Sequence, residues 1–293
     1  YNTKGGIKVG DKTYKLEFIG YDDKGDSTEA VNIIKRLTSQ DHVSAIVGPQ
    51  GSGEAIPIAS YANEAKVPVV ATTATNPKVT VTENGTVNSA MFRACFTDPY
   101  QGSVAATFAF DKLGKRKAAI FMSVDDAYSA GLTQFFKETF IKMGGTVVAE
   151  VSFTAGEKDF RAPLTKIKAA NPDVIFMPNY YNDVAISAKQ ARELGIKAVM
   201  LGGDGWPSEN LISLAGNALE GCFFVNHLDF NDPDPAIQSF KKAFKDKYGR
   251  NAELNSYMAH DSLTMIIDAI QRAKSTKGED IIKALETTDI QGV

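Results

Sequence analysis

The chain has 293 residues, of which 43% are hydrophobic and 23% are charged, and its formal net charge is −3. This balance is typical of a globular protein of about two domains. It lacks the basic footprint of a nucleic-acid-binding protein, and no apolar run approaches the ~20 residues of a membrane span. The two cysteines and three histidines have no metal-ligand spacing, so neither a metal nor another cofactor is expected.

Short apolar runs rich in β-branched and aromatic residues recur along the chain. Such runs are typical of strands that are covered on both faces of a parallel sheet. The predicted strands are YKLEFIGY (14–21), VSAIVG (43–48), VPVVAT (67–72), MFRACFT (91–97), KAAIFMS (117–123), TVVAEVSF (146–153), DVIFMPN (173–179), AVMLGG (198–203) and CFFVNH (222–227).

Amphipathic stretches such as 29–40 and 183–194 lie between these strands and predict helices. Asp26, three residues before Glu29, is typical of a helix N-cap. The alternation predicts an α/β fold of βαβ units with right-handed crossovers. After residue 228 only helices are predicted, and we interpret them as layers that cover an existing sheet.

In open α/β sheets, ligands bind beyond the carboxyl ends of the strands. One such end is "GPQGSGEAIPIAS" (48–60), which superficially resembles a phosphate-binding loop. A phosphate loop requires Lys after its last glycine, whereas Glu54 follows Gly53. Ser52 and backbone N–H groups at the start of a helix can instead receive a carboxylate.

Polar and aromatic residues follow four other predicted strands. Thr73 and Thr75, on either side of Ala74, can contact a zwitterion, and Asp204 can pair with an ammonium group. Aromatic walls suited to an apolar side chain or a cation are offered by Tyr128, Tyr180 and Trp206. Together these residues predict a site for an α-amino acid.

Each of these residues also has an ordinary structural explanation. Ser52 alone is more often a helix N-cap, Thr75 before Asn-Pro is more often a turn residue, and Asp204 before a glycine is itself a turn signal.

Another interpretation of the function is an α/β enzyme with Asp125, Asp126 or Asp204 as acid–base groups. No nucleophile–base set accompanies these carboxylates, so the enzyme interpretation is the weakest.

Five blocks, in order, resemble the periplasmic leucine/isoleucine/valine-binding protein family: "VGPQGSGEAIPIAS", "PVVATTATNP", "FRACFTDPYQG", "VSFTAGEKDF" and "LGGDGW". These are type I periplasmic substrate-binding proteins of ABC transporters. The resemblance implies two Rossmann-like lobes joined by a hinge, with no enzymatic activity. It implies an amino-acid ligand and a membrane permease as partners.

The resemblance also implies roles for individual residues. Ser52 corresponds to the serine that contacts the ligand carboxylate, and the segment 73–75 to the one that grips both carboxylate and ammonium. Tyr128 and Tyr180 correspond to the two cleft tyrosines. Asp204 stands where the branched-chain binders carry Glu, which shortens the reach to the ammonium by one methylene. Trp206 is expected to fill part of the pocket.

By matching blocks, lobe 1 is predicted to comprise residues 1–97 and 228–293, and lobe 2 residues 98–227. The resemblance implies that the chain lacks the usual first strand and helix and the final crossover segment. It implies a monomer at the extracytoplasmic face of the membrane, with a lipid anchor as an open alternative. An amino-acid or amide sensor domain with the same fold is the second functional interpretation. Cys95 and Cys222 are expected to be thiols rather than a disulfide.

Overall fold

The computed structural model describes residues 1–293, which form two compact units. Unit 1 comprises Tyr1–Cys95 and Asp232–Val293, and unit 2 comprises Phe96–Asn231. The predicted boundaries between the lobes, after residues 97 and 227, lie close to the boundaries between the two units. That the two chain crossings act as a hinge stays a prediction.

Unit 1 contains a short parallel sheet and an antiparallel hairpin. The elements are β1 (Ile7–Val9), β2 (Lys12–Tyr14), α1 (Ser27–Ser39), β3 (Ile46–Val47), α2 (Ser52–Ala65), β4 (Val69–Ala71), β5 (Met91–Arg93), α8 (Pro235–Tyr248), α9 (Leu254–Ala273) and α10 (Gly278–Leu285). The sheet has the order β3-β4-β5, and β1 pairs with β2 in the hairpin.

The sheet of unit 1 carries helices on both faces. Ala55 and Ile58 of α2 pack with Val69 of β4 in one cluster of buried side chains. Val70, the next residue of the strand, belongs to a second cluster with Ile266 of α9. Because successive strand residues point to opposite faces, the two clusters cover the two sides of the sheet.

The predicted strand at 14–21 is wrong beyond Tyr14, where β2 ends. Residues 15–21 are rich in apolar and aromatic side chains, but a strand also needs a neighbour with which its backbone forms hydrogen bonds. These residues instead line a cavity of about 630 Å³, and residues 43–49, which include the edge strand β3, line the same cavity. The segment is left without pairing, and Phe18 is 69% exposed.

Unit 2 is built on one fully parallel sheet. Its elements are α3 (Asp98–Thr107), β6 (Lys117–Ser123), α4 (Ala127–Lys142), β7 (Thr146–Phe153), α5 (Arg161–Ala170), β8 (Val174–Met177), α6 (Tyr181–Glu193), β9 (Val199–Gly202), α7 (Glu209–Ala215) and β10 (Phe223–Phe224). The strands lie in the order β10-β9-β8-β6-β7.

Two hydrophobic clusters cover the two faces of this sheet. Ile175 of β8 packs in one cluster and its neighbour Phe176 in the other. The prediction of an α/β protein whose parallel sheets are flanked by helices is therefore confirmed. No helix combines the length and the apolar character needed to cross a membrane.

Candidate functional site

The first group of predicted site residues lies in unit 1, and we call Ser52, Thr73, Ala74 and Thr75 the Ser52 cluster. Ser52 is the first residue of α2 and is only 1% exposed. Its hydroxyl oxygen accepts a hydrogen bond from the backbone N–H of Asn76 over 3.2 Å. This bond ties the start of α2 to the segment that follows β4.

Three further hydrogen bonds hold the segment that runs from β4 to Asn76. The hydroxyl of Thr73 donates to the carbonyl of Gln50 over 3.0 Å. The guanidinium of Arg93 donates to the carbonyl of Ala74 over 2.9 Å and to that of Asn76 over 3.0 Å. The Ser52 cluster is thus fixed by neighbours on β5 and in the loop before α2.

Thr75 differs from the other members of the cluster. It is fully buried, and its side-chain oxygen has no hydrogen-bond partner. A buried hydroxyl without a partner is costly, which favours a ligand group at this point. The first N–H groups of a helix also lack intrahelical acceptors, and the helix dipole is positive there. The Ser52 cluster can therefore hold a small anion such as a carboxylate.

The second group of predicted site residues, Tyr128, Tyr180 and Asp204, lies in unit 2. We call these three residues, together with His227, the Asp204 cluster. Asp204 follows β9, and its side chain is 3% exposed. One carboxylate oxygen, Oδ2, lies 2.9 Å from Nε2 of His227, whereas Oδ1 is buried and has no hydrogen-bond partner. The backbone N–H of Asp204 donates to Oε1 of Gln101 over 2.6 Å.

The two tyrosines lie beside this carboxylate. Their ring centroids are 5.2 Å apart with an interplanar angle of 29°, and the Tyr128 hydroxyl accepts from the N–H of Gly205 over 3.1 Å. Desolvation, followed by the negative charge of Asp204, raises the pKa of Tyr128 well above its ordinary value. Tyr128 therefore stays a neutral phenol at physiological pH, and its ring, which is 2% exposed, belongs to a core cluster of unit 2.

Trp206 packs inside unit 2. Its side chain is 1% exposed and belongs to a core cluster of unit 2, and its indole N–H donates to the carbonyl of Met177 over 2.9 Å. The ring packs against Gly202 so closely that a Cβ atom there would lie 2.0 Å from it. This packing fixes the ring inside unit 2, and its predicted role as a pocket wall stays a prediction.

The carboxylates of the enzyme interpretation have structural partners. Asp126 caps α4 by accepting from the N–H groups of Tyr128 and Ser129. Asp125 accepts from the hydroxyl of Ser123 over 2.8 Å, the main reason that its pKa is lowered. Both carboxylates thus stabilise the loop after β6.

Sequence reasoning missed Arg93, Gln101 and His227. Arg93 had a usable signal, because it is the one charged residue in the apolar stretch MFRACF. His227 and Asp204 are 23 positions apart, and no spacing rule links them. Their contact arises because Asp204 follows β9 and His227 follows β10, its parallel neighbour in the sheet.

The whole chain, residues 1–293, matches the family model for periplasmic binding proteins. A Leu/Ile/Val-binding protein homolog of Brucella melitensis is 32% identical over 275 residues, which cover 94% of this chain and 72% of that protein.

Two solved structures are similar as well. A leucine-binding protein LivK of Thermotoga maritima has a TM-score of 0.89 and 34% identity over 97% of this chain and 79% of its own. The branched-chain amino acid transporter substrate-binding protein LivJ of Streptococcus pneumoniae, in complex with isoleucine, has a TM-score of 0.88 and 28% identity over 99% of this chain and 80% of its own. The resemblance inferred from the sequence is thereby confirmed, and the chain belongs to the periplasmic binding protein family.

Proposed function

We propose that this protein captures an α-amino acid outside the cytoplasm and delivers it to the permease of an ABC transporter. The observation that carries the proposal is a pair of buried, unpartnered polar atoms, the hydroxyl of Thr75 in unit 1 and Oδ1 of Asp204 in unit 2. A donor for a carboxylate and an anionic acceptor for an ammonium group are the two requirements of an amino-acid zwitterion. The names of the relatives support the same ligand class.

Within this proposal, each cluster has its own task. Ser52, Thr73, Ala74 and Thr75 hold the ligand carboxylate, and Asp204 binds the ammonium group. Tyr128 and Tyr180 pack against the rest of the ligand.

Leucine, isoleucine and valine are the first ligands to test, since the Brucella relative is named for them and LivJ was solved with isoleucine. Asp204 reaches one methylene less far than the Glu of the branched-chain binders that the sequence resembles. We therefore also include smaller and polar amino acids. We propose a monomer without catalytic activity, so the bound amino acid should be released unchanged.

A thermal-shift panel of amino acids, amides and small sugars tests this function. A ligand at 100 times its Kd stabilises a protein by about 2.7 kcal/mol, so at least one amino acid should raise the unfolding midpoint. Isothermal titration then gives the Kd. If only sugars or amides raise the midpoint, or if the amino acid is turned over, the proposal is wrong.

The Asp204→Asn variant tests the role of the carboxylate. It keeps the size of the side chain but removes its charge, so we expect amino-acid affinity to fall by at least tenfold. Asp11→Asn, in the turn between β1 and β2, is the matched control and should bind like the wild type. Unchanged affinity of Asp204→Asn would refute the assignment of Asp204 to the ammonium group.

A further inference from the structure

Asp204 and His227 form a buried pair whose two members are unequally satisfied. The side chains are 3% and 6% exposed, and Nε2 of the imidazole lies 2.9 Å from Oδ2 of the carboxylate. For this hydrogen bond to form, Nε2 must carry the proton, because an ionised carboxylate can only accept. The second oxygen, Oδ1, is equally removed from water and has no hydrogen-bond partner.

The imidazole is itself held in a fixed orientation. Its ring stacks on that of Phe96, with centroids 3.7 Å apart and an interplanar angle of 17°. The backbone N–H of His227 donates to the side chain of Asn226 over 2.9 Å. Asp204 is fixed from the other side by the bond between its backbone N–H and Gln101. The pair is therefore preorganised before any ligand arrives.

We propose that His227 is a specificity-determining residue. It occupies Oδ2 of Asp204 and leaves Oδ1 as the acceptor for the ligand ammonium. Amino-acid binding then depends on the protonation of His227. The inference rests on the proposed amino-acid function and deepens it. A neutral imidazole donates one hydrogen bond and leaves the carboxylate with its full negative charge. An imidazolium donates the same bond but neutralises that charge and repels an incoming ammonium group.

The direction of the pH dependence follows from this difference. Since the ammonium group of the ligand and the proton on His227 oppose each other, binding releases a proton wherever the imidazole is charged. Affinity should therefore weaken as the pH falls, with Kd rising by at most about tenfold per pH unit for one linked proton. Histidine side chains ordinarily change charge between about pH 5 and 8.

The titratable side chains found around Tyr128 and around Phe96, on which the imidazole stacks, are acidic or phenolic. The raised pKa of Tyr128 keeps this phenol neutral throughout the window. These side chains are Asp98, Tyr100, Tyr128 and Tyr180. A substitution at position 227 leaves all four in place, so it isolates the contribution of the imidazole.

The test is isothermal titration of the full chain with L-leucine, L-isoleucine and L-valine from pH 5 to 8, together with 4-methylpentanoate, which is leucine without its ammonium group. His227→Gln retains an N–H donor for Oδ2 but does not titrate. His227→Phe removes the donor. His260→Gln is the matched control, because His260 also lies beside an aspartate, at 3.3 Å from Asp261, but is 42% exposed and belongs to unit 1.

We expect Kd of the wild type and of His260→Gln to rise toward pH 5, and Kd of His227→Gln to stay constant within about twofold. Titration in two buffers of different ionisation enthalpy should show proton release from the wild type and none from His227→Gln. His227→Phe should bind at least tenfold more weakly than the wild type at pH 8. If this variant fails to fold, as judged by circular dichroism, His227→Gln still decides.

An unchanged pH slope in His227→Gln, a slope of the opposite sign in the wild type, or equal affinity for leucine and 4-methylpentanoate would overturn the inference while leaving a solute-binding function intact. If no amino acid binds the wild type at any pH, the proposed function fails, and the inference falls with it.

Discussion

A Cβ atom on Gly203 would lie 2.4 Å from Oε1 of Gln101 and 2.6 Å from the hydroxyl of Tyr128. Both atoms support the loop that carries Asp204, since Gln101 accepts from its backbone and Tyr128 accepts from Gly205. At the scale of single residues, the position of the Asp204 carboxylate therefore depends on the absence of a side chain at the preceding residue.

Gly203→Ala should accordingly disturb the Asp204 cluster. Overpacking of a well-packed site typically costs about 1–3 kcal/mol, and here the displaced atoms are also those that position Asp204. We expect a lower free energy of unfolding in denaturant titrations and weaker amino-acid binding.

Gly20→Ala is the control, because a Cβ atom at Gly20 meets nothing within 4 Å. It should leave both stability and binding close to those of the wild type. A Gly203→Ala variant with wild-type affinity would show that the Gln101 and Tyr128 contacts do not position the carboxylate.

The same loop shows how far single residues could be predicted. Asp204 was found because a polar residue at the carboxyl end of a predicted parallel strand is expected near a ligand site. Trp206, two residues later, could not be placed, because the sequence does not tell which side of the loop a large ring will take. The pairing of Asp204 with His227 depends on strand order, which local patterns do not encode.

At the scale of elements, α1 begins as its sequence predicts. Asp26 is the N-cap, and its carboxylate accepts from the N–H of Glu29 over 2.8 Å. Replacing an N-cap Asp by Ala typically costs about 1 kcal/mol, whereas Asn is an equally good cap. We therefore expect Asp26→Ala to lower the free energy of unfolding by about 1 kcal/mol in chemical denaturation.

Asp26→Asn is the matched variant and should unfold like the wild type. Equal destabilisation by both substitutions would mean that the charge of Asp26, rather than its hydrogen bond, stabilises the start of α1.

Prediction of the strands succeeded best where the segment is paired along its length with a neighbour in the sheet. The predicted bounds 117–123 and 146–153 coincide with β6 and β7, the two longest strands of the unit 2 sheet. At 14–21 the residue types favour a strand, but pairing is a property of the neighbouring strand and not of the segment itself. Residue types therefore predict which segments can form a strand, and the topology decides which of them do.

At the scale of the whole molecule, each unit has its own hydrophobic clusters, and none of the clusters draws residues from both units. The single tryptophan, Trp206, lies in the core of unit 2. Its fluorescence therefore reports the unfolding of unit 2, whereas circular dichroism reports helices of both units.

Ile266→Ala, in the core of unit 1, should separate the two signals. Replacing a buried Ile by Ala typically costs about 2–5 kcal/mol. We expect the circular dichroism transition to begin at lower denaturant concentration, with the midpoint of Trp206 fluorescence unchanged.

Ile120→Ala, in the core of unit 2, is the matched control and should shift the fluorescence midpoint. If Ile266→Ala shifts both signals equally, the two units unfold as one cooperative body.

The division of the chain between the units also sets the order in which they can be completed during synthesis. Unit 2 is one uninterrupted segment, whereas unit 1 is interrupted after Cys95 and resumes at Asp232. The core of unit 1 needs Ile266 and Ile270 of α9 beside Val70 of β4. During translation, every residue of unit 2 therefore leaves the ribosome before α9 does. The first strands of unit 1 cannot pack against α9 until the whole of unit 2 has been synthesised.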